Sequence, residues 1–420
     1  MSRTLALLLL MGMILSGAIA SELAQDFPRG YSNPVIANPA LNISRSNYEF
    51  TSISLSSPQV EIDEVVVDLE TYHSLSIPDE SIYYREGCPA VPQITRFYRI
   101  PNTGSVDLVI REASYSLVDD INSLPIQPEE DRFRQVPVKA ADVYGVDSWY
   151  PAEIAVAGDP MIMRDYRVVP VTLFPVQVNT LTGQARIYDQ LDVDLVANDT
   201  PGENEIVNSR PASGAFAPAY SRFIANLDET SLDDDANYTP GQYLILCPDN
   251  STILQWVDTL STWKRRRGFE IEIDARDNWT YSTMKSRVQQ AYNAEDSNLE
   301  FVCIVGDPMQ GTYYMPTSTT NWDGQYDHYF GTLAGSDEIA DIAVGRLSVT
   351  SASQLATVMR KIMLYEREPY MDDTGWFNRA FLYAGTDYEV SSNEIMMLWA
   401  RRQFEHMTGV NDITIATHPG

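Results

Sequence analysis

The chain has 420 residues, 44% of them hydrophobic, which is enough for two or three buried cores and excludes a disordered chain. Its 58 acidic residues against 29 basic ones give a net charge of −29, which opposes binding to nucleic-acid phosphates and anionic lipid surfaces. Three cysteines, Cys88, Cys247 and Cys303, are too few for a disulfide scaffold, and their odd number leaves at least one thiol free.

Residues 1–20 join Arg3, an apolar run from Leu5 to Leu15 and the small-residue ending Ala18-Ile19-Ala20. This is the layout of a secretory signal peptide cut after Ala20. The run is short for a membrane span, and no other stretch approaches the roughly 18 uninterrupted apolar residues that a span needs. The mature chain is therefore expected to be exported and soluble, secreted or at the cell surface.

Residues 21–200 read as a β-rich domain. The runs "YEFTSISL", "VEIDEVVVDLE", "QITRFYRIP", "VDLVIREASYSL", "YRVVPVTLFPVQVN" and "ARIYDQLDVDLVA" alternate or carry β-branched residues and are broken by turn residues. Their spacing predicts antiparallel sheets in a sandwich, with "NTLTGQ" as a hairpin connection. Residues 201–240, rich in Pro, Asn and Asp, read as a linker.

From 241 to 420 the rhythm becomes strand, helix, strand. The continuous apolar runs at 243–247, 301–305, 342–346, 380–385 and 412–417 predict strands covered on both faces. In 251–267 Ile253, Val257 and Leu260 recur on one face, Lys264 to Arg267 suit the negative helix end and Gly268 is a stop. In 351–366 Leu355, Val358, Ile362 and Tyr365 form a second stripe. Alternation of this kind predicts a mostly parallel α/β sheet.

Cys303 lies at the centre of one such strand, and Cys247 is in the same position one strand earlier. A thiol buried there is apolar filler with a raised pKa, not a nucleophile. Asp307 falls just past the carboxyl end of its strand, the edge at which open α/β sheets bind ligands.

The second half resembles the catalytic domain of the gingipain-type cysteine peptidases, which have a caspase-like α/β sheet. The residues carrying the likeness are "YLILCPDN", "WKRRRGFEIEI", "FVCIVGDP", "YFGTLAGSDEIADIAVGRLSV", and "KIMLYERE" followed by "WFNRAFLYAG". In the first half, "GCPAVPQITRFYRIP" and "YPAEIAVAGDPMIMRDYRVVPVTLFPVQVNTLTGQARIYDQLDVDL" resemble the propeptide of that family. The resemblance implies a secreted cysteine endopeptidase precursor acting on protein or peptide substrates. The β-rich region would be its intramolecular inhibitor or chaperone.

By the same resemblance the catalytic histidine and nucleophilic cysteine fall beyond Gly420, so the 420-residue chain alone is expected to be inactive. "THPG" matches a turn of the family, which argues against His418 as the base, and His328 in "YDHYFG" reads as a loop residue. Asp387 matches the acidic residue near the catalytic histidine, where a carboxylate would fix the tautomer. Glu394 falls near the acidic residue that receives a basic P1 side chain in arginine-specific members. As plain sequence, Asp387 also suits a helix cap or solvated loop, and Glu394 the first turn of a helix.

The acidic loop carries a metal expectation. Asp337, Ile339 and Asp341 alternate, so two carboxylates and a carbonyl are expected to face one point, with Asp307 approaching from the neighbouring strand end. Hard oxygen donors suit calcium better than zinc. The resemblance implies a structural calcium site here, with Ala334 adding a carbonyl. An alternative from another class is a non-catalytic exported surface or binding protein that keeps the fold as a scaffold. An α/β hydrolase or nucleotide-binding domain is disfavoured, because no Gly-x-Ser-x-Gly elbow and no glycine-rich strand-to-helix loop is present.

Overall fold

The computed structural model describes residues 40–417 except residues 68, 128–136, 211, 228–240, 310, 320–324 and most of 385–411. The expected signal peptide, Asp387, Glu394 and His418 lie outside the described residues.

Most of the alternating runs of the first half form two five-stranded sheets, while Glu61–Val67 pairs antiparallel with Glu70–Ser76 in a separate two-stranded sheet. One five-stranded sheet contains Phe50–Ser56, the long strands Ser105–Val118 and Gln184–Asn198, and two shorter strands. The other is built around Val91–Arg99 and Tyr166–Leu173, paired antiparallel. Every second side chain points inward, so Ile53, Leu55, Leu191 and Val193 of one sheet meet Ile94, Tyr98, Val169 and Val171 of the other in one core. The expected sandwich is therefore present. The "NTLTGQ" connection is a tight hairpin in which Asn179 Oδ1 accepts the N–H groups of Leu181 and Thr182, and Gly183 takes φ +69°.

Within residues 201–240, expected as linker, a short packed helix forms among the described residues. Phe216, Tyr220 and Ile224 recur at helical spacing and are buried, and the helix Ala217–Phe223 forms around them. The polar composition of the segment hid this short apolar stripe.

In the second half four parallel strands lie in the order Glu270–Ala275, Gln242–Cys247, Leu299–Val305, Ala343–Leu347. Helices Ser251–Arg266 and Ala352–Arg367 cover one face, with Ile253, Val257, Leu260, Leu355 and Met359 against Ile245, Cys247, Cys303 and Val305. Helix Tyr281–Tyr292 covers the other with Met284, Val288 and Tyr292 against Leu244, Leu246, Val302 and Ile304. Burial on both faces is why the central strands read as continuous apolar runs. Strands Arg379–Ala384 and Asp412–Thr417 pair in parallel with each other, apart from the four-stranded sheet. No helix among the described residues is long and apolar enough to cross a membrane.

Candidate functional site

A parallel sheet has two chemically different edges, and the acidic residues divide between them. At the carboxyl edge, Asp307 follows Val305 by two residues; its Oδ2 accepts the Ser348 hydroxyl at 2.6 Å and its Oδ1 the Met309 N–H at 2.8 Å. These two donors hold its carboxyl below the usual aspartate range. Nearby, Arg346 grips Asp327 with two nitrogens at 2.6 and 2.8 Å and donates to the carbonyls of Gly306 and Met315. These bonds converge around Gly306, where φ is +142° and a Cβ would approach the Tyr313 carbonyl oxygen at 2.5 Å.

At the amino edge lies the acidic loop that precedes strand Ala343–Leu347. It is not the extended, alternating segment expected. Asp337 Oδ1 accepts the Ile339 N–H at 2.9 Å, closing a local turn, and Ile339 is buried against the β-rich half. Asp341 is fully buried, and its Oδ2 accepts the N–H groups of Leu333 and Ala334 at 2.6 and 2.7 Å. Its Oδ1 is buried with no hydrogen-bond partner. Burial pushes the Asp341 carboxyl up to about 7 despite those two N–H donors, with the Asp337 charge adding to the rise. Burial raises Asp337 as well.

The rest of the loop is tied down by neutral and cationic groups. Lys285 donates to the carbonyls of Tyr329 and Thr332, both at 2.6 Å, and Gln289 to that of Leu333 at 3.0 Å. His328, buried, donates from Nε2 to the Glu338 carbonyl at 2.7 Å, so it braces this loop and is not placed as a base.

Asp307 does not join Asp337 and Asp341. Phe301 is in register with Ala343 and Val305 with Leu347, so Asp341 stands before the start of its strand and Asp307 beyond the end of the adjacent one. At about 3.3 Å per residue the two aspartates are roughly 20 Å or more apart. Nearness to a strand in sequence does not distinguish the two edges of a parallel sheet, and here the strand direction puts these aspartates on opposite ones.

Asp337 and Asp341 by themselves suit a hard cation. A buried carboxylate oxygen without a donor, beside a second carboxylate with which it repels, is the environment that calcium neutralises. Ala334 and Ile339 belong to the same loop and could add carbonyl oxygens. Among the described residues no group of three or more acidic, histidine or cysteine side chains gathers at a point, so any such site would draw its remaining ligands from the main chain or water.

The β-rich half docks on this same amino edge. Met163, Tyr166, Val168, Phe216, Tyr220 and Ile224 pack with Phe301, Ile339 and Ala343 in one buried cluster. At its centre Arg164, 3% exposed, donates to the carbonyls of Leu299 and Asp341 at 2.7 and 2.8 Å and to Asn298 Oδ1 at 3.0 Å. Asp165 beside it accepts the Tyr220 hydroxyl at 2.5 Å and the Ser213 N–H at 2.8 Å, and Ser213 Oγ–H donates to the buried Glu300. Ile162 and Asn204 reach the acidic loop itself, donating to Asp337 Oδ2 at 2.8 and 3.3 Å. Neither Arg164 nor Asn204 stands out in the sequence. A lone Arg in "MIMRDY" carries no signal of burial, and only its positive φ of +52° marks a constrained turn.

All three thiols are buried and free. Desolvation raises Cys303 to about 11 and Cys247 to about 12, and raises Cys88 too. None is in a nucleophile's setting.

Residues 236–419 match the family model "Peptidase family C25", and residues 33–217 match "Propeptide_C25". Among curated proteins of Porphyromonas gingivalis, the chain is 25% identical to Gingipain R2 of strain W83 over 376 residues, 87% of this chain and 49% of that protein. It is 24% identical to Gingipain R1 of strain ATCC 33277 over 397 residues, 90% of this chain and 22% of that protein. To Lys-gingipain W83 it is 23% identical over 373 residues, 83% and 21% of the two. The chain thus spans about half the length of Gingipain R2 and less of the others. Among solved structures it is similar to a complex of the Porphyromonas gingivalis RgpB pro- and mature domains, with TM-score 0.41 and 20% identity over 45% of this chain and 99% of that one. It is also similar to the Arg-specific cysteine proteinase gingipain R, with TM-score 0.35 and 21% identity over 44% of each chain.

Proposed function

The chain belongs to the gingipain-type cysteine peptidases as a precursor that carries the family's propeptide, and from this premise we propose that it is the pro-part and front catalytic part of an exported endopeptidase. The observation that carries the reading is the match of the two family models, in order, to two halves that dock through the buried Arg164 cluster. A propeptide held this way keeps the amino edge of the catalytic sheet folded, which supports a chaperone role. Export is supported by the signal-peptide layout of residues 1–20.

Thiol-imidazole chemistry needs an accessible cysteine beside a histidine. With Cys88, Cys247 and Cys303 all buried, we assign the nucleophile and the base to sequence that would follow Gly420. Asp387 is the proposed orienting carboxylate for that histidine, and Glu394 the proposed partner of a basic P1 side chain. Calcium is proposed at Asp337 and Asp341, where it would neutralise two crowded carboxylates and stiffen the loop.

The test is to read the gene past the codon for Gly420 and assay the extended product. A His-Gly motif followed by a strand-end cysteine, with thiol-dependent peptide cleavage lost on mutating that cysteine, is the expected result. A stop codon after Gly420 would leave the scaffold reading.

A further inference from the structure

We propose that the docked β-rich half and a divalent cation compete for Asp337, so that propeptide docking and filling of the acidic loop oppose each other. The proposal rests on the calcium reading above and adds to it a partner that is part of this chain.

Asp337 has two carboxylate oxygens, and three N–H groups already point at them. One comes from its own loop, Ile339, and two come from the β-rich half and its connecting segment, Ile162 and Asn204. Asn204, which donates to Asp337 from Nδ2, also fixes the loop through its amide oxygen: Oδ1 accepts the Ser336 N–H at 2.8 Å and its hydroxyl at 3.2 Å. Beside them the Arg164 guanidinium, bonded to the Asp341 carbonyl, sets a permanent positive charge in a dry interface. The docked half therefore supplies donors and positive charge where a cation would otherwise act.

That supply is incomplete, because Asp341 Oδ1 keeps no donor. A cation bridging Asp341 and Asp337 would satisfy it. Held there, it would share Asp337 with the Ile162 and Asn204 donors and stand close to the Arg164 charge, where like charges repel strongly at low dielectric. Linkage makes the effect reciprocal: whatever factor docking takes from cation affinity, the cation takes from docking.

Two measurements on the full chain test this. Calcium is titrated calorimetrically into the wild type and into Asn204→Gly, a change that tolerates the positive φ of +53° at this position and removes the carboxamide. Hydrogen exchange at the Ile162 amide is followed in chelator and in millimolar calcium. We expect affinity to rise on the order of tenfold in Asn204→Gly, within the usual range of coupling between sites, and exchange at Ile162 to quicken when calcium is added to the wild type. Both calcium signals should vanish in Asp341→Asn. Equal affinity in both proteins with unchanged or slower Ile162 exchange overturns the competition and leaves the calcium reading intact. No heat of binding in either protein, or heat that survives Asp341→Asn, overturns the calcium reading and the competition with it.

Discussion

Ile162 donates its backbone N–H to Asp337 Oδ2 at 2.8 Å, joining the short strand Met161–Met163 of the β-rich half to the acidic loop of the parallel-sheet half. Two residues on, Arg164 reaches the carbonyls of Leu299 and Asp341, where strand and loop meet the amino edge of the sheet. The docking surface is therefore apolar in area and polar at its centre. Such a surface fixes orientation through a few buried donors whose loss is costly, and the rest of the contact only excludes water.

Arg164→Met keeps much of the side-chain volume but orphans two buried carbonyls and leaves Asp165 without its ion-pair partner at 3.3 Å. Breaking a buried charged network from one side costs about 3–5 kcal/mol. Denaturant unfolding of the full chain should lose that much. As a control, Arg85→Met removes an ion pair to Asp142 whose side chains are 48% and 60% exposed, and should leave stability nearly unchanged. Equal effects of the two changes would remove Arg164 as an anchor.

The fold was legible where burial is uniform. Strand Leu299–Val305 is buried along its whole length and shows as an unbroken apolar run, and Ile253, Val257 and Leu260 face inward as their spacing implies. Strand Glu270–Ala275 lies at the sheet edge, where exposed glutamates interrupt the apolar run that marks the central strands. Of the candidate site, the proximity of Asp337 and Asp341 follows from their spacing in the chain, while the turn that Asp337 closes on Ile339 in place of an extended segment does not. The separation of Asp307 depends on strand direction, and the burial of Arg164 depends on a contact 135 residues away in sequence. Neither leaves a local trace.

The three thiols should be silent in the native chain. Cys88 and Cys247 are wholly buried and Cys303 is 4% exposed, and desolvation raises all three. A neutral-pH titration with an aromatic disulfide should find no fast-reacting group until denaturant is added, and then three. Cys303→Ala should leave any peptide cleavage by an extended product unchanged, at a stability cost of roughly 1–2 kcal/mol for the small cavity. One rapidly modified thiol in the folded chain would contradict this account of the strand.

Calcium should distinguish the two sheet edges. Ligand binding specific to the folded state raises the melting temperature by mass action. Asp337→Asn removes a carboxylate that lies by Asp341, so the calcium-induced rise should largely disappear. Asp307→Asn should preserve it, because Ser348 and Met309 occupy that carboxylate at the far edge. Loss of the response in both variants would mean that the aspartates act together after all.

The acidic loop should also make stability depend on pH in a direction opposite to that of a paired carboxylate. Burial raises Asp341 from 3.8 to about 7, so between those values the folded chain holds a proton that the unfolded chain has released. Its contribution to stability is fully present below the unfolded value, declines as pH rises through the window and is gone above about 7. The full span corresponds to at most roughly 4–5 kcal/mol at about 1.4 kcal/mol per pH unit. Asp337 and Glu300, also raised by burial, act with the same sign, whereas carboxylates such as Asp307 and Asp274 are lowered and act against it. The bulk curve therefore mixes both, and the informative quantity is the difference between wild type and Asp341→Asn. In chelator, the melting temperature of the variant should gain on that of the wild type by several degrees between pH 5 and 8, since the amide never pays to be ionised. Saturating calcium should flatten the trend by favouring the ionised wild-type carboxylate. A difference constant across that range would mean that Asp341 ionises normally in the fold, and the unpartnered oxygen would then need water or another donor beside it.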